Sequence, residues 1–216
     1  MKLTFPELSL IILIGASGAG KSTFARKHFK STEILSSDYY RGVVSDDEND
    51  QGATKDAFEV LHYILAKRLA AGRLTVIDAT NVQPGSRKPL LELAKKFHCF
   101  AVAIVFNLPE SVCQERNQGR PNRQFGDHVV KNHIRSLKRS LRNLKREGFR
   151  FIYQLNSVSE VEAVSVARQR MWTNRKDEHG PFDIIGDVHG CCDELEQLLR
   201  QLGYVATNES NSDGFW

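Results

Sequence analysis

The chain has 216 residues, 41% hydrophobic and 26% charged, the make-up of a soluble globular protein long enough to bury a core without a disulfide or metal staple. Its four cysteines, Cys99, Cys113, Cys191 and Cys192, form no CxxC pair and no zinc-finger spacing, which excludes a disulfide scaffold and suits a reducing cytoplasm. The net charge of +4 is uneven: residues 171–216 hold 3 Lys and Arg against 9 Asp and Glu, so residues 1–170 hold 27 against 17, a balance that suits an anionic partner or ordinary solubility alike.

The N-terminal run from Met1 to Leu13 has one lysine and falls far below the ~20 residues that span a bilayer, so it reads as a buried strand rather than a leader or an anchor. No membrane association is expected. Leu8–Ile14 leads directly into Gly15-Ala16-Ser17-Gly18-Ala19-Gly20-Lys21-Ser22-Thr23, which fits G-x-x-x-x-G-K-[ST]. Glycines at these positions let backbone N–H groups converge on phosphate oxygens with no Cβ in the way. Lys21 would reach the β- and γ-phosphates of ATP, and Ser22 would ligate Mg²⁺. A helix from about Ser22 to His28 would turn its positive end to the anion.

Ile34–Leu35 reads as a short strand, followed by Ser36-Ser37-Asp38-Tyr39-Tyr40-Arg41. In a parallel sheet the carboxyl ends of the strands share one edge, which brings Asp38 towards the phosphate loop. There it could accept a hydroxyl proton during phosphoryl transfer, or cap a helix, or do both. Arg41, one turn on, could clamp a phosphate of the acceptor. Thr54–Ala71 reads as a helix capped by Thr54 and ended by Gly72. Asp78 closes the apolar run Leu74–Ile77, where a carboxylate suits an Mg²⁺-organising role through water; Thr80 and Asn81 beside it either touch the acceptor or cap the next helix.

Ser86–Phe97 is a further helix and Ala101–Phe106 a further strand. Arg116, Arg120 and Arg123 then fall in Gln114–Gln124, where Gly119 and Pro121 end a helix in a loop. Such a loop is either a solvated basic segment or a lid whose arginines stabilise charge on a transferring phosphoryl group. In the helix Val129–Lys145, Val130, Ile134, Leu137, Leu141 and Leu144 make one apolar stripe. Lys131, Arg135, Lys138, Arg142 and Lys145 follow one residue later as a basic ridge, fit either for a phosphate backbone or simply for solvent. With Phe151–Leu155 as a last strand, apolar strands alternating with helices predict an α/β fold: a P-loop NTPase-type parallel sheet with helices on both faces.

The phosphate loop, Ser37-Asp38-x-x-Arg41 and Val76-Ile77-Asp78-Ala79-Thr80-Asn81 together resemble the kinase domain of the polynucleotide kinase–phosphatase family, most closely its bacterial RNA-repair members, which join kinase, metallophosphatase and ligase modules. The resemblance spans residues 1 to about 170. It implies that Asp38 is the general base on a 5′-hydroxyl, that Arg41 holds an acceptor phosphate, and that Arg116, Arg120 and Arg123 contact the ATP phosphates. It also implies 5′-OH ends of RNA or DNA as partners, with self-association into a homodimer in some relatives.

Met171–Pro181 is polar and reads as a linker. Phe182–Ile185 then starts a new strand, Asp193–Leu202 a helix, and Thr207–Gly214 a polar tail. Phe182-Asp183-Ile184-Ile185-Gly186-Asp187-Val188-His189-Gly190 resembles the opening of a metallophosphoesterase, in which Asp187 and His189 would bind one metal of a two-metal site using Mn²⁺. The later ligand motifs of that family are missing from residues 191–216. Residues 182–216 therefore read as a truncated phosphatase fragment without activity. The expectation for residues 1–170 is ATP-dependent phosphorylation of a 5′-OH polynucleotide end. A small-molecule P-loop kinase and an ATP-gated nucleic-acid binding module are the rival readings.

Overall fold

A computed structural model describes residues 1–119 and 125–205. They divide into a larger unit, residues 1–174, and a smaller one that begins at Arg175. The larger unit opens with β1 (Lys2–Pro6), β2 (Ser9–Gly15), α1 (Lys21–His28), β3 (Ile34–Ser36) and α2 (Ser37–Ser45). Next come α3 (Thr54–Ala70), β4 (Thr75–Asp78), α4 (Pro84–Lys96), β5 (Phe100–Phe106) and α5 (Glu110–Gln118). It closes with α6 (Asp127–Ser140), α7 (Leu144–Glu147), β6 (Phe151–Leu155), α8 (Val158–Ala163) and β7 (Ser165–Gln169).

Five strands make one parallel sheet in the order β3-β4-β2-β5-β6. β2 lies at its centre and every one of its residues is buried, as a strand covered on both faces must be. Because side chains alternate across a strand, Ile11 and Leu13 join one core cluster while Leu10, Ile12 and Ile14 join the other. The first cluster is closed by Phe24 of α1, Cys113 of α5 and Ile134 of α6. The second is closed by Leu61, Leu65 and Leu69 of α3, Leu90 of α4 and Leu144 of α7. This is the α/β architecture expected from the alternation of apolar runs and helical patterns. No helix of the described residues is long and apolar enough to cross a membrane.

Three local expectations are corrected. The helix expected over Val129–Lys145 is broken: α6 ends at Ser140, a 3-10 turn spans Leu141–Asn143, and α7 follows. Thr54 does not cap α3. The cap position is Ala53, the Thr54 N–H is taken by the Gln51 carbonyl, and the Thr54 hydroxyl has no partner among the described residues. The run Met1–Leu13 is not one buried strand: β1 breaks off before β2, exposes Lys2 and Thr4, and pairs in parallel with β7 outside the main sheet, from Lys2 against Ser165 to Pro6 against Gln169.

In the smaller unit only α9 (Cys192–Gln201) is regular among the described residues. Phe182–Ile185 is not a strand. Phe182, Ile184 and Ile185 are exposed, so no strand edge among the described residues buries them and composition alone does not make a strand there. The expected tail from Thr207 lies outside the described residues.

Candidate active site

β2, β3 and β4 end at Gly15, Ser36 and Asp78, and register sets Ser36 beside Asp78. Everything that follows these strand ends collects on one rim of the sheet, where α/β folds bind ligands. The Gly15 N–H donates to the Thr80 carbonyl at 3.0 Å, tying the start of the phosphate loop to the segment after β4. Asn81, 2% exposed, takes a left-handed backbone and its Nδ2 donates to the Leu13 carbonyl at 2.9 Å. Its side chain therefore braces β2 from inside. The Thr80 side chain is only part-buried at the rim.

Gly18 and Gly20 have φ of +82° and +86°, which glycine alone adopts without strain. A Cβ on Gly18 would stand 2.1 Å from the Cys113 carbonyl oxygen, so the loop tip abuts α5 directly. A Cβ on Gly20 would stand 3.3 Å from Arg116 Nη1, which sets that guanidinium against the loop. Lys21 Nζ donates to the Gly15 and Ala16 carbonyls at 2.9 and 2.8 Å, curling the ammonium back over the loop. The loop Ala16-Ser17-Gly18-Ala19 and Thr23 at the start of α1 complete the turn.

Asp78 is buried, and desolvation pushes its carboxyl above the ordinary range. A hydrogen bond from Ser22 and the charges of Lys21 and Arg26 pull it down, and the Asp38 charge pushes it up. A buried carboxylate bonded to a hydroxyl is a hard oxygen donor set that fits Mg²⁺. Asp38 sits in the first turn of α2, whose N-cap is Ser36, with the Tyr39 N–H donating to the Ser36 hydroxyl at 3.4 Å. The Ser37 hydroxyl donates to Asp38 Oδ1 at 3.3 Å.

Arg41 turns back onto its own helix and the segment that follows it. It is 4% exposed, its Nη2 donates to Asp38 Oδ1 and its Nε to the Glu48 carbonyl at 2.9 Å. Spacing of three on a helix brings the two side chains together, and burial keeps the guanidinium on the carboxylate.

An open cleft of about 1090 Å³ joins these groups. Its walls include Gly20, Ser22, Asp38 and Asp78, and also Arg26 and Tyr39, which sequence reasoning passed over. The signal for Arg26 was its spacing of four from Ser22 on one helix face. Across the phosphate loop a second cleft of about 340 Å³ is lined by Gly18, Gly20, Thr23, Arg116 and Val158 among others. The loop thus lies between two hollows, with the carboxylates in one and Arg116 in the other.

Arg120 and Arg123 lie outside the described residues. The basic ridge Lys131, Arg135, Lys138, Arg142 and Lys145 is exposed throughout. In the smaller unit, Asp187 Oδ2 and His189 Nε2 are 3.7 Å apart and both side chains are highly exposed. Among the described residues no group of three or more His, Cys, Asp or Glu is arranged to hold a metal ion. Among the described residues the two therefore meet without the further ligands of a two-metal site.

The profile of the family described as AAA domain matches residues 10–144. A chain from the Pnkp1/Rnl/Hen1 RNA repair complex superposes with a TM-score of 0.56 at 22% identity, over 65% of this chain and 47% of that one. Kti12 from Chaetomium thermophilum, solved with ADP-AlF3, superposes at 0.53 and 17% identity, over 71% and 93%. Both likenesses are of fold. A bis(5′-nucleosyl)-tetraphosphatase of Oceanobacillus iheyensis is 67% identical over 27 residues, 12% of this chain and 11% of that protein. The chain spans about a tenth of the length of the curated relatives it matches.

Proposed function

The chain belongs to the AAA domain family and has a P-loop kinase fold, and from that premise we propose that it transfers the γ-phosphate of ATP to the 5′-hydroxyl end of RNA or DNA. The observation that carries this is the shared rim. Asp78 interacts electrostatically with both Lys21 and Asp38, and one cleft is walled by the phosphate loop and Asp38 together. A kinase needs a carboxylate facing its triphosphate across a gap that admits the acceptor.

In this reading the loop N–H groups and Lys21 hold the β- and γ-phosphates. Ser22 would hold Mg²⁺ directly, with Asp78 acting through water. Bound there, Mg²⁺ supplies positive charge against the phosphate oxygens. Asp38 takes the proton from the 5′-hydroxyl as its oxygen bonds the γ-phosphorus and the bond to the β-bridging oxygen breaks, with ADP leaving. Arg116, beside Gly20, meets charge gathering on the transferring group. Arg120 and Arg123 join it in the resemblance. Arg41 holds an acceptor phosphate, as the resemblance implies, and its ion pair with Asp38 sets the direction of that carboxylate. The pairing of kinase and repair partners in the Pnkp1 complex and a cytoplasmic location belong to the same reading. A metallophosphoesterase-like segment also belongs to this reading, and the 27-residue likeness to a bis(5′-nucleosyl)-tetraphosphatase supports it.

The test is transfer of label from [γ-³²P]ATP to matched 5′-OH RNA and DNA oligonucleotides, with free nucleosides in parallel. Labelled oligonucleotide, lost when a 5′-phosphate already blocks the end, is the expected result. Labelling of nucleosides alone would make it a small-molecule kinase, and ATP-dependent binding without label a binding module.

A further inference from the structure

The larger cleft has more room and more functional groups than proton transfer requires. Its volume of about 1090 Å³ exceeds the ~300–1,000 Å³ usual for small-molecule sites. Two of the side chains without a role in the chemistry above, Tyr39 and Arg26, stand out. Tyr39 is 58% exposed, yet its ring is not loose. It meets Tyr40 edge to face, with centroids 5.4 Å apart and planes at 73°. Tyr40 in turn packs against the second core cluster. An aromatic ring fixed from behind and bare in front, next in sequence to the proposed base, is a platform for a planar group.

Arg26 lines the same cleft from α1. It lies one helical turn beyond Ser22, on the same face of α1. It is exposed, and among the described residues it makes no hydrogen bond or ion pair. Arg68, another cation of the cleft, is already engaged, through Nε to the Thr75 hydroxyl at 3.1 Å and Nη2 to the Leu74 carbonyl at 2.9 Å. The Ser31 and Thr32 side chains line the cleft beside β3, adding hydroxyl donors. An aromatic face and an open cation flanking one carboxylate match the parts of a nucleotide unit: base, phosphate and hydroxyl.

We propose that Tyr39 and Arg26 form the acceptor-strand subsite, the terminal base stacking on Tyr39 and the phosphate on its 3′ side meeting Arg26 while the 5′-hydroxyl faces Asp38. This rests on the polynucleotide-kinase reading and gives it a specificity device. Stacking accepts every base, so the site selects for a nucleic-acid end without selecting its sequence.

The test uses the full chain and two 5′-OH decamers, alike except that one has an abasic first residue. For the unaltered protein, KM for the abasic end rises about tenfold, the scale of one lost base stack. Tyr39→Ala should give the same raised KM for both decamers, and Tyr39→Phe should keep the discrimination. Arg26→Ala should raise KM and lower the salt slope of oligonucleotide binding by ~0.7, the value for one single-strand phosphate. Both residues are exposed, and thermal melts matching the unaltered protein establish that the variants fold. An unaltered protein that labels no decamer overturns the kinase reading and this inference with it. An unaltered protein that labels both, with Tyr39→Ala still discriminating or Arg26→Ala keeping the full slope, overturns the subsite alone.

Discussion

Replacing Glu147 by alanine would strand a charge inside the protein. Arg87 is 0% exposed, its Nε and Nη2 donate to the two Glu147 carboxylate oxygens at 2.7 and 2.6 Å, and its Nη1 donates to the Asn81 carbonyl at 2.7 Å. The pair therefore ties α4 to α7 and holds the segment whose Thr80 carbonyl anchors Gly15. Removing one partner of a buried ion pair costs ~3–5 kcal/mol. The Glu147 side chain is 15% exposed, so water reaches the gap and the lower end, about 3 kcal/mol, is expected. At ~2–4 °C per kcal/mol for a chain of this size, Tm should fall by about 6–12 °C. Urea melts extrapolated to water measure the loss directly. The double change Arg87→Met with Glu147→Leu should recover most of it, because both charges leave together. A loss below ~1 kcal/mol for Glu147→Ala would mean that the pair behaves like a surface one, and the strut under the phosphate loop would have to be abandoned.

Other perturbations probe separate parts of the account. Gly18→Ala should lower stability and nucleotide affinity together, since a methyl would meet the Cys113 carbonyl at 2.1 Å on a backbone with φ of +82°; unchanged ATP affinity and Tm would refute the close approach. Burial alone would raise the Glu33 carboxyl, but its two hydrogen bonds from Arg168, at 2.8 and 2.7 Å, and one from the Lys30 N–H hold it below its ordinary 4.5. A depressed carboxyl stabilises the fold above its unfolded pKa, and the effect is lost as pH falls through the folded one. The stability gap between the unaltered protein and Arg168→Met should thus be full at pH 7 and shrink below about pH 4.5; a gap independent of pH would contradict this. The 216-residue chain should release no phosphate from phosphomonoesters with Mn²⁺, because Asp187 and His189 meet without a third ligand among the described residues; Mn²⁺-dependent release would overturn that expectation.

The main sheet was legible because its strands are nearly pure apolar runs. β2 and β5 can be read as buried from composition alone. The β1–β7 pair was not. Lys2–Pro6 alternates over only five residues, Ser165–Gln169 is mostly polar, and the partners are far apart in the chain. The phosphate loop was legible because its chemistry demands glycine at set positions. Asp38 was placed correctly at the rim because strand ends share an edge. Arg41 illustrates the limit: its place three residues after an aspartate does not reveal the ion pair with Asp38 or the bond to the Glu48 carbonyl, which packing sets. Arg26 and Tyr39 carried no motif. They stand out only once α1 and α2 are seen to line one cleft.

The central claim is that Asp38 removes the proton of a 5′-hydroxyl while the glycine-rich loop presents ATP. Single-turnover transfer from [γ-³²P]ATP to a 5′-OH oligonucleotide, run with Asp38→Ala, tests it most directly. Loss of general-base help should slow the step by roughly 10²–10⁴ while ATP binding persists. An alanine variant that transfers phosphate at the unaltered rate would contradict the account.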